Sequence, residues 1–164
     1  MVRIRKAESV SDFRKLHELF VKYQADLPKD LRLGNVPDIR DITERYGKHD
    51  AAFLATRDGK PIGCAAVAGL DAETAVMLRL FVTPESRGLG AARALVTAAI
   101  AFARESGYHR IVLDTSRELL KPAYLLYRSL GFQECEPFGS VSYQSPTFME
   151  LRLRTHKALA DDRI

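Results

Sequence analysis

The stretch Leu80-Phe81-Val82-Thr83-Pro84-Glu85-Ser86-Arg87-Gly88-Leu89-Gly90-Ala91-Ala92 holds the residues of this chain best placed to do chemistry. An apolar run stops at Pro84, which has no N–H to give to a sheet ladder. A short turn with Arg87, Gly88 and Gly90 follows, and then Leu95, Ala98, Ala99 and Phe102 recur at helical spacing. A strand that passes through a glycine-rich turn into a helix can hold phosphate. The first N–H groups of the helix are unpaired and carry partial positive charge, and glycine lets an anion approach the backbone. Two familiar phosphate motifs are absent. There is no G-x-x-x-x-G-K-[ST], and Ala91, Ala92 and Arg93 follow Gly90 where G-x-G-x-x-G needs a third glycine.

A second block lies downstream: Ala123-Tyr124-Leu125-Leu126-Tyr127-Arg128-Ser129-Leu130-Gly131-Phe132. The first block resembles the acyl-CoA-binding motif of the GNAT superfamily of N-acetyltransferases, Arg/Gln-x-x-Gly-x-Gly/Ala after an L-x-V-x-P strand end. Arg87, Gly90 and Ala92 fill it. The second resembles the A-x-x-L-Y-x-x-x-G-F block of the same superfamily. The two stand in the right order and spacing, and the resemblance extends over nearly the whole chain.

The resemblance implies direct transfer of acetyl from acetyl-CoA, the cosubstrate, to a primary amine of a small molecule or protein. The pyrophosphate would sit on the backbone of Arg87, Gly88, Leu89, Gly90, Ala91 and Ala92, with Arg93 either helping or serving as a solvated helix arginine. The peptide-like pantetheine arm would pair with the strand end at Leu80, Phe81 and Val82, as an added strand does. Tyr127 is the implied general acid for the departing thiolate, since a phenol is neutral at pH 7 and can donate. Many members of the family carry Asn three residues before the alanine of the second block; Leu120 stands here. Thr115 or Ser116 could supply that contact, while Asp114 reads as a loop cap. A strand Glu that many members use as base is also missing, and Glu73 is the nearest acid upstream, as a base or as a turn residue. The alternatives are a non-catalytic acyl-CoA-binding sensor and an unrelated nucleotide-binding α/β domain.

Composition sets outer bounds. The 164 residues suit one domain with a real core, expected over residues 1–154 with a polar tail at 155–164. A net charge of +4 suits an anionic ligand, but no basic run interleaved with aromatics points to nucleic acid. His17, His49, His109 and His156 lie far apart, so no metal is expected. No apolar run reaches membrane-spanning length, and Met1-Val2-Arg3-Ile4-Arg5-Lys6 lacks the apolar middle of a secretory signal. The expectation is cytoplasmic, with no membrane partner. Cys64 and Cys135 are too few for a disulfide scaffold, and Cys64 sits in an apolar run.

The elements that must position these residues read as a mixed α/β domain. The expected core is a mostly antiparallel sheet of about seven strands with helices on both faces. Residues 2–7 alternate as a strand, and Ser9 or Ser11 caps a helix carrying Phe13, Leu16, Leu19, Phe20 and Tyr23. A short helix is expected over residues 37–46. Strands at 51–56, 62–70 and 75–82 form a meander, with Asp58-Gly59 as the first hairpin turn. The helix after Arg87 ends near Gly107, and Ile111-Val112-Leu113 returns parallel to the 75–82 strand. Pro122 opens the next helix and Gly131 ends it; strands at 132–137 and 147–153 close the domain. The last strand is also free to pair across a homodimer, as happens in relatives. The acceptor pocket is expected from residues 27–46 and 137–146. There Tyr23, Asp26, Asp30, Asp38 and Asp41 could attract a cation, beside Phe138, Tyr143 and Gln144.

Overall fold

The computed structural model describes residues 1–32 and 34–153, so the tail expected at 155–164 lies outside the described residues. The strands are β1 (Val2–Lys6), β2 (Ala51–Arg57), β3 (Lys60–Gly69), β4 (Thr74–Val82), β5 (Arg110–Thr115), β6 (Gln133–Glu134) and β7 (Thr147–Arg152). The helices are α1 (Val10–Asp26), α2 (Ile39–Tyr46), α3 (Ala91–Glu105) and α4 (Lys121–Ser129). One seven-stranded sheet runs in the order β1-β2-β3-β4-β5-β7-β6. Only β4 and β5 are parallel, because α3 carries the chain back between them.

Period-two alternation sorts the sheet residues into two cores. Ala51, Phe53, Ala55, Ala65 and Val67 face α3, with Leu95, Val96 and Ala99 of that helix packed on them. Ala52, Leu54, Cys64 and Ala66 face α1 and α2 and meet Phe13, Leu16, Phe20 and Ile42. Ala98 and Phe102 lie at the margin of the first core rather than inside it. Gly63 is packed closely, since a Cβ there would meet Phe81 O of β4 at 2.7 Å and the Leu95 side chain of α3 at 3.2 Å.

Within β4 the alternation breaks at Arg79. Ala75 and Met77 face the α3 core and Leu78 the α1 core, but beyond Arg79 the order inverts, with Phe81 on the α1 side and Leu80 and Val82 on the α3 side. The cause is one extra residue in β4: Ala66 pairs with Leu78 and Cys64 with Phe81. Arg79 takes up the bulge at φ +55°. Two further non-glycine residues have positive φ, and of these Asp58 belongs, with Gly59 at φ +77°, to the expected Asp-Gly hairpin turn.

Local signals fix the ends of α1 and α4. Ser9 caps α1 through a reciprocal box with Asp12, and Asp12 also accepts the N–H of Glu8 at 3.0 Å and pairs with Arg5 of β1. Pro122 lies in the first turn of α4, and Gly131 follows its end at φ +99°. The strand expected at 132–137 shrinks to Gln133–Glu134, with one further bond from Cys135 N to Phe148 O before Pro137, which has no N–H to give. The outer edge of β7 is therefore covered along Glu150, Met149 and Phe148.

Candidate active site

Hydrogen-bonded pairing of β4 with β5 ends early, after Thr74–Arg110, Ala75–Ile111 and Val76–Val112. Beyond that point the strands part. Met77 to Val82 of β4 present an unpaired edge toward Leu113, Asp114 and Thr115 of β5, which remain bonded to β7 on their other side. The gap opens into a cleft of about 1000 Å³. Its floor is the second half of β4, its far wall β5 and α4, and its near wall the end of α1.

At one end the cleft meets the turn before α3. Gly88 and Gly90 adopt φ +85° and +83°, and no atom lies within 4 Å of where a Cβ would stand on either. Gly90 caps α3 without any side chain, and the first intrahelical bond runs from Ala94 N to Gly90 O. Among the described residues, no N–H from Gly88 to Arg93 has a protein acceptor. Open donors at a helix N-terminus form an anion cradle. Arg87 is anchored beside it: Nε donates to Val82 O at 3.1 Å and Nη2 to Asp26 Oδ2 at 2.7 Å. Arg93 donates to Ser129 Oγ at 2.8 Å, tying α3 to α4 along the same wall. An acyl-CoA fits these groups, with a long polar arm along the open β4 edge and phosphates on the turn.

Tyr127 lines the cleft from α4 with its ring 5.8 Å from that of Phe132, itself fully buried. Its hydroxyl has no protein partner among the described residues. Burial pushes its pKa well above the usual phenol value, with Tyr23 and Asp114 adding to the shift. Tyr23, on α1 opposite, is pushed up to about 12 by burial, partly opposed by Arg79. Asp114 faces both phenols and accepts a 2.7 Å hydrogen bond from Tyr143 Oη. Burial, then that bond, raises Tyr143 strongly.

The expected site residues divide as follows. Leu80, Phe81, Val82, Arg87, Gly88, Gly90, Ala91, Ala92, Thr115 and Tyr127 all line this cleft. Leu89 and Ser116 do not; Leu89 is 43% exposed, and Ser116 Oγ is used to accept the N–H of Leu119. Glu73 is not brought to the cleft either. It precedes the other end of the nine-residue β4, with its side chain 72% exposed and 3.8 Å from His109. Leu120, where many family members carry Asn, lines the wall. Asp114 is a cleft carboxylate rather than a loop cap. Arg79 was not singled out from the sequence: inside a strand it reads as an outward polar residue, and the bulge that re-aims it depends on pairing with β3.

A second hollow, of about 380 Å³, lies over Cys135, Pro137 and Phe148. Two of its charged groups are engaged with each other, Arg117 at 3.4 Å from Glu134, and Tyr124 donates to Glu134 at 3.0 Å. Cys64 is buried, and burial pushes its thiol up to about 12, which keeps it out of acyl chemistry. Among the described residues, no group of three or more His, Cys, Asp or Glu could hold a metal ion, and no helix is long and apolar enough to cross a membrane.

Known proteins share this architecture. Residues 14–132 match the model of the acetyltransferase (GNAT) family. An uncharacterised N-acetyltransferase of Schizosaccharomyces pombe is 33% identical over 154 residues, 92% of either chain. Human N-acetyltransferase 8B is 36% identical over 104 residues, 59% of this chain but 45% of that one, so this chain spans about half of that relative. The Salmonella typhimurium protein yncA, solved with its cofactor acetyl-CoA, superposes with a TM-score of 0.78 at 21% identity, covering 94% of this chain and 95% of that one. Its fold is the one seen here. The chain therefore belongs to the acetyltransferase (GNAT) family, and is an N-acetyltransferase of the acetyl-CoA-dependent class.

Proposed function

We propose that the cleft transfers acetyl directly from acetyl-CoA to a primary amine of a small molecule or protein, with Tyr127 as the general acid. One observation carries this reading: the open β4 edge, the unpaired N–H groups of the α3 turn and the unpartnered phenol of Tyr127 share a single cleft. Acetyl-CoA supplies a thioester whose thiol leaves readily. The chain's own groups do the rest. Backbone N–H groups of residues 88–93 neutralise phosphate charge. The unpaired β4 edge aligns the pantetheine arm and offers an N–H to polarise the thioester carbonyl.

The amine must lose a proton before it attacks. Two carboxylates line the cleft: Asp26 is committed to Arg87, while Asp114 shares the cleft lining with Tyr127. Asp114, oriented by Tyr143, takes the amine proton directly or through one water. Tyr127 gives a proton to the sulfur. Its raised pKa keeps it protonated throughout the working range, which is the state an acid needs.

Calorimetry with acetyl-CoA, followed by thiol-release assays on an amine panel, tests the proposal. Micromolar binding and amine-dependent thiol release are expected. Binding without release on any amine would leave an acyl-CoA sensor, and no binding by folded protein would overturn the reading.

A further inference from the structure

We propose that the acceptor carries a carboxylate beside its amine, and that Arg79 binds this carboxylate, so that the substrate is amino-acid-like. The inference rests on the acetyl-transfer reading of the cleft.

Arg79 lines the cleft from the β4 bulge, which turns its side chain onto the α1 side of the sheet. There the guanidinium lies over the Phe20 ring, 4.9 Å from its centroid. The ring contact covers one face and leaves the donor edge to be satisfied. Nη1 is shut off from solvent and has no hydrogen-bond partner. None of the ion pairs among the described residues includes Arg79. The nearby acids are engaged elsewhere: Asp26 with Arg87, Asp50 with Arg45, and Asp114 with Tyr143. An arginine stays charged at any working pH, and a buried charged donor without an acceptor is costly. A bound carboxylate supplies the missing acceptor in the forked geometry that a guanidinium favours.

The position of this arginine relative to the reacting groups sets the substrate class. Tyr23, Arg79 and Asp114 all line the one cleft, so the two charges border a shared volume. Tyr127 lines it as well. An acceptor with ammonium toward Asp114 and carboxylate toward Arg79 matches this pattern, whereas a simple amine or polyamine leaves Arg79 unanswered. Of the acids expected to attract a cation, Asp26 lines the cleft but is committed to Arg87, while Asp38 caps α2 and Asp30 and Asp41 face solvent.

The test pairs each common amino acid with the amine made by removing its carboxylate, assayed by thiol release with saturating acetyl-CoA. Wild-type kcat/KM is expected to be about tenfold or more higher for the best amino acid than for its partner amine, mainly through KM. In Arg79→Gln this ratio should fall to about one, and Arg79→Lys should retain part of it, keeping the charge without the fork. Equal or better use of carboxylate-free amines by the wild type would overturn the inference while leaving acetyl transfer intact. So would an Arg79→Gln variant that loses both members of a pair equally. Transfer to none of the panel, with acetyl-CoA bound, would overturn both. Thermal melts report whether Arg79→Gln is folded; if it is not, the wild-type preference and Arg79→Lys decide.

Discussion

Two side chains in the cleft differ in how openly the sequence advertises them. Tyr127 stands in a block whose spacing announces it, and the proposed acid role rests on a buried phenol that lines the cleft; desolvation raises its pKa, which keeps it protonated although it makes the phenol a weaker acid. Tyr127→Phe should lower kcat about tenfold or more while acetyl-CoA affinity stays within about twofold, checked by steady-state kinetics beside calorimetry. Because the raised pKa keeps the phenol protonated, wild-type kcat should show no alkaline loss assignable to Tyr127 up to about pH 10, the ordinary phenol value. Arg79 and Asp114 are the contrary case. Neither falls in a motif, and both gain meaning from what stands opposite them across the cleft. Glu73, proposed from its place just upstream of the strand, shows the same limit from the other side. Proximity in sequence put it near the site, but the direction of β4 carries it away.

Helices and strands are positioned by devices that the sequence states locally. Ser9 and Asp12 make the α1 capping box, and Asp12 joins the helix to β1 through Arg5. The hydrogen bond with Arg5, helped by the N–H groups of Glu8 and Ser9, holds the Asp12 carboxyl well below its usual range although burial opposes this. A depressed acid contributes stability above its unfolded pKa, near 3.8, and loses it as pH falls through the folded value. Asp12→Asn should therefore cost about 1–2 kcal/mol at neutral pH, or roughly 3–8 °C in Tm. Its melting temperature should also fall less than that of the wild type as the pH drops below about 4, measured by circular dichroism. The β4 bulge is an element of another kind. It arises because one residue of β3, Ala65, faces two of β4, Arg79 and Leu80, a mismatch that only the paired strands contain.

At the scale of the molecule, the cleft is assembled from six parts of the chain: the end of α1, α2 through Arg45, β4, the start of α3, β5 and α4. Few native contacts bridge the opening, since β4 and β5 part after three residue pairs. A ligand that spans the opening should stabilise the whole domain by mass action. At 100 times its dissociation constant, acetyl-CoA should add about 2.7 kcal/mol, or roughly 5–10 °C in Tm by scanning fluorimetry. ATP and NAD at the same concentration should give less, because neither offers a pantetheine arm to the open β4 edge.

The sequence by itself determined the elements, the sheet class and the phosphate turn. These depend on period, on caps at Ser9 and Pro122, and on glycines with positive φ at residues 88 and 90, all of which act within a few residues. It also singled out Tyr127, through a block of ten residues that begins in α4 and runs past its end. The tertiary structure alone decided how far β4 and β5 stay paired, which way Arg79 points and which carboxylate stands in the cleft. These depend on register between strands and on packing across the sheet, where one residue of slip moves a side chain to the other face. The acid proposed for catalysis is written in a local motif, and the groups proposed to meet the acceptor are set by pairings between segments far apart in the chain.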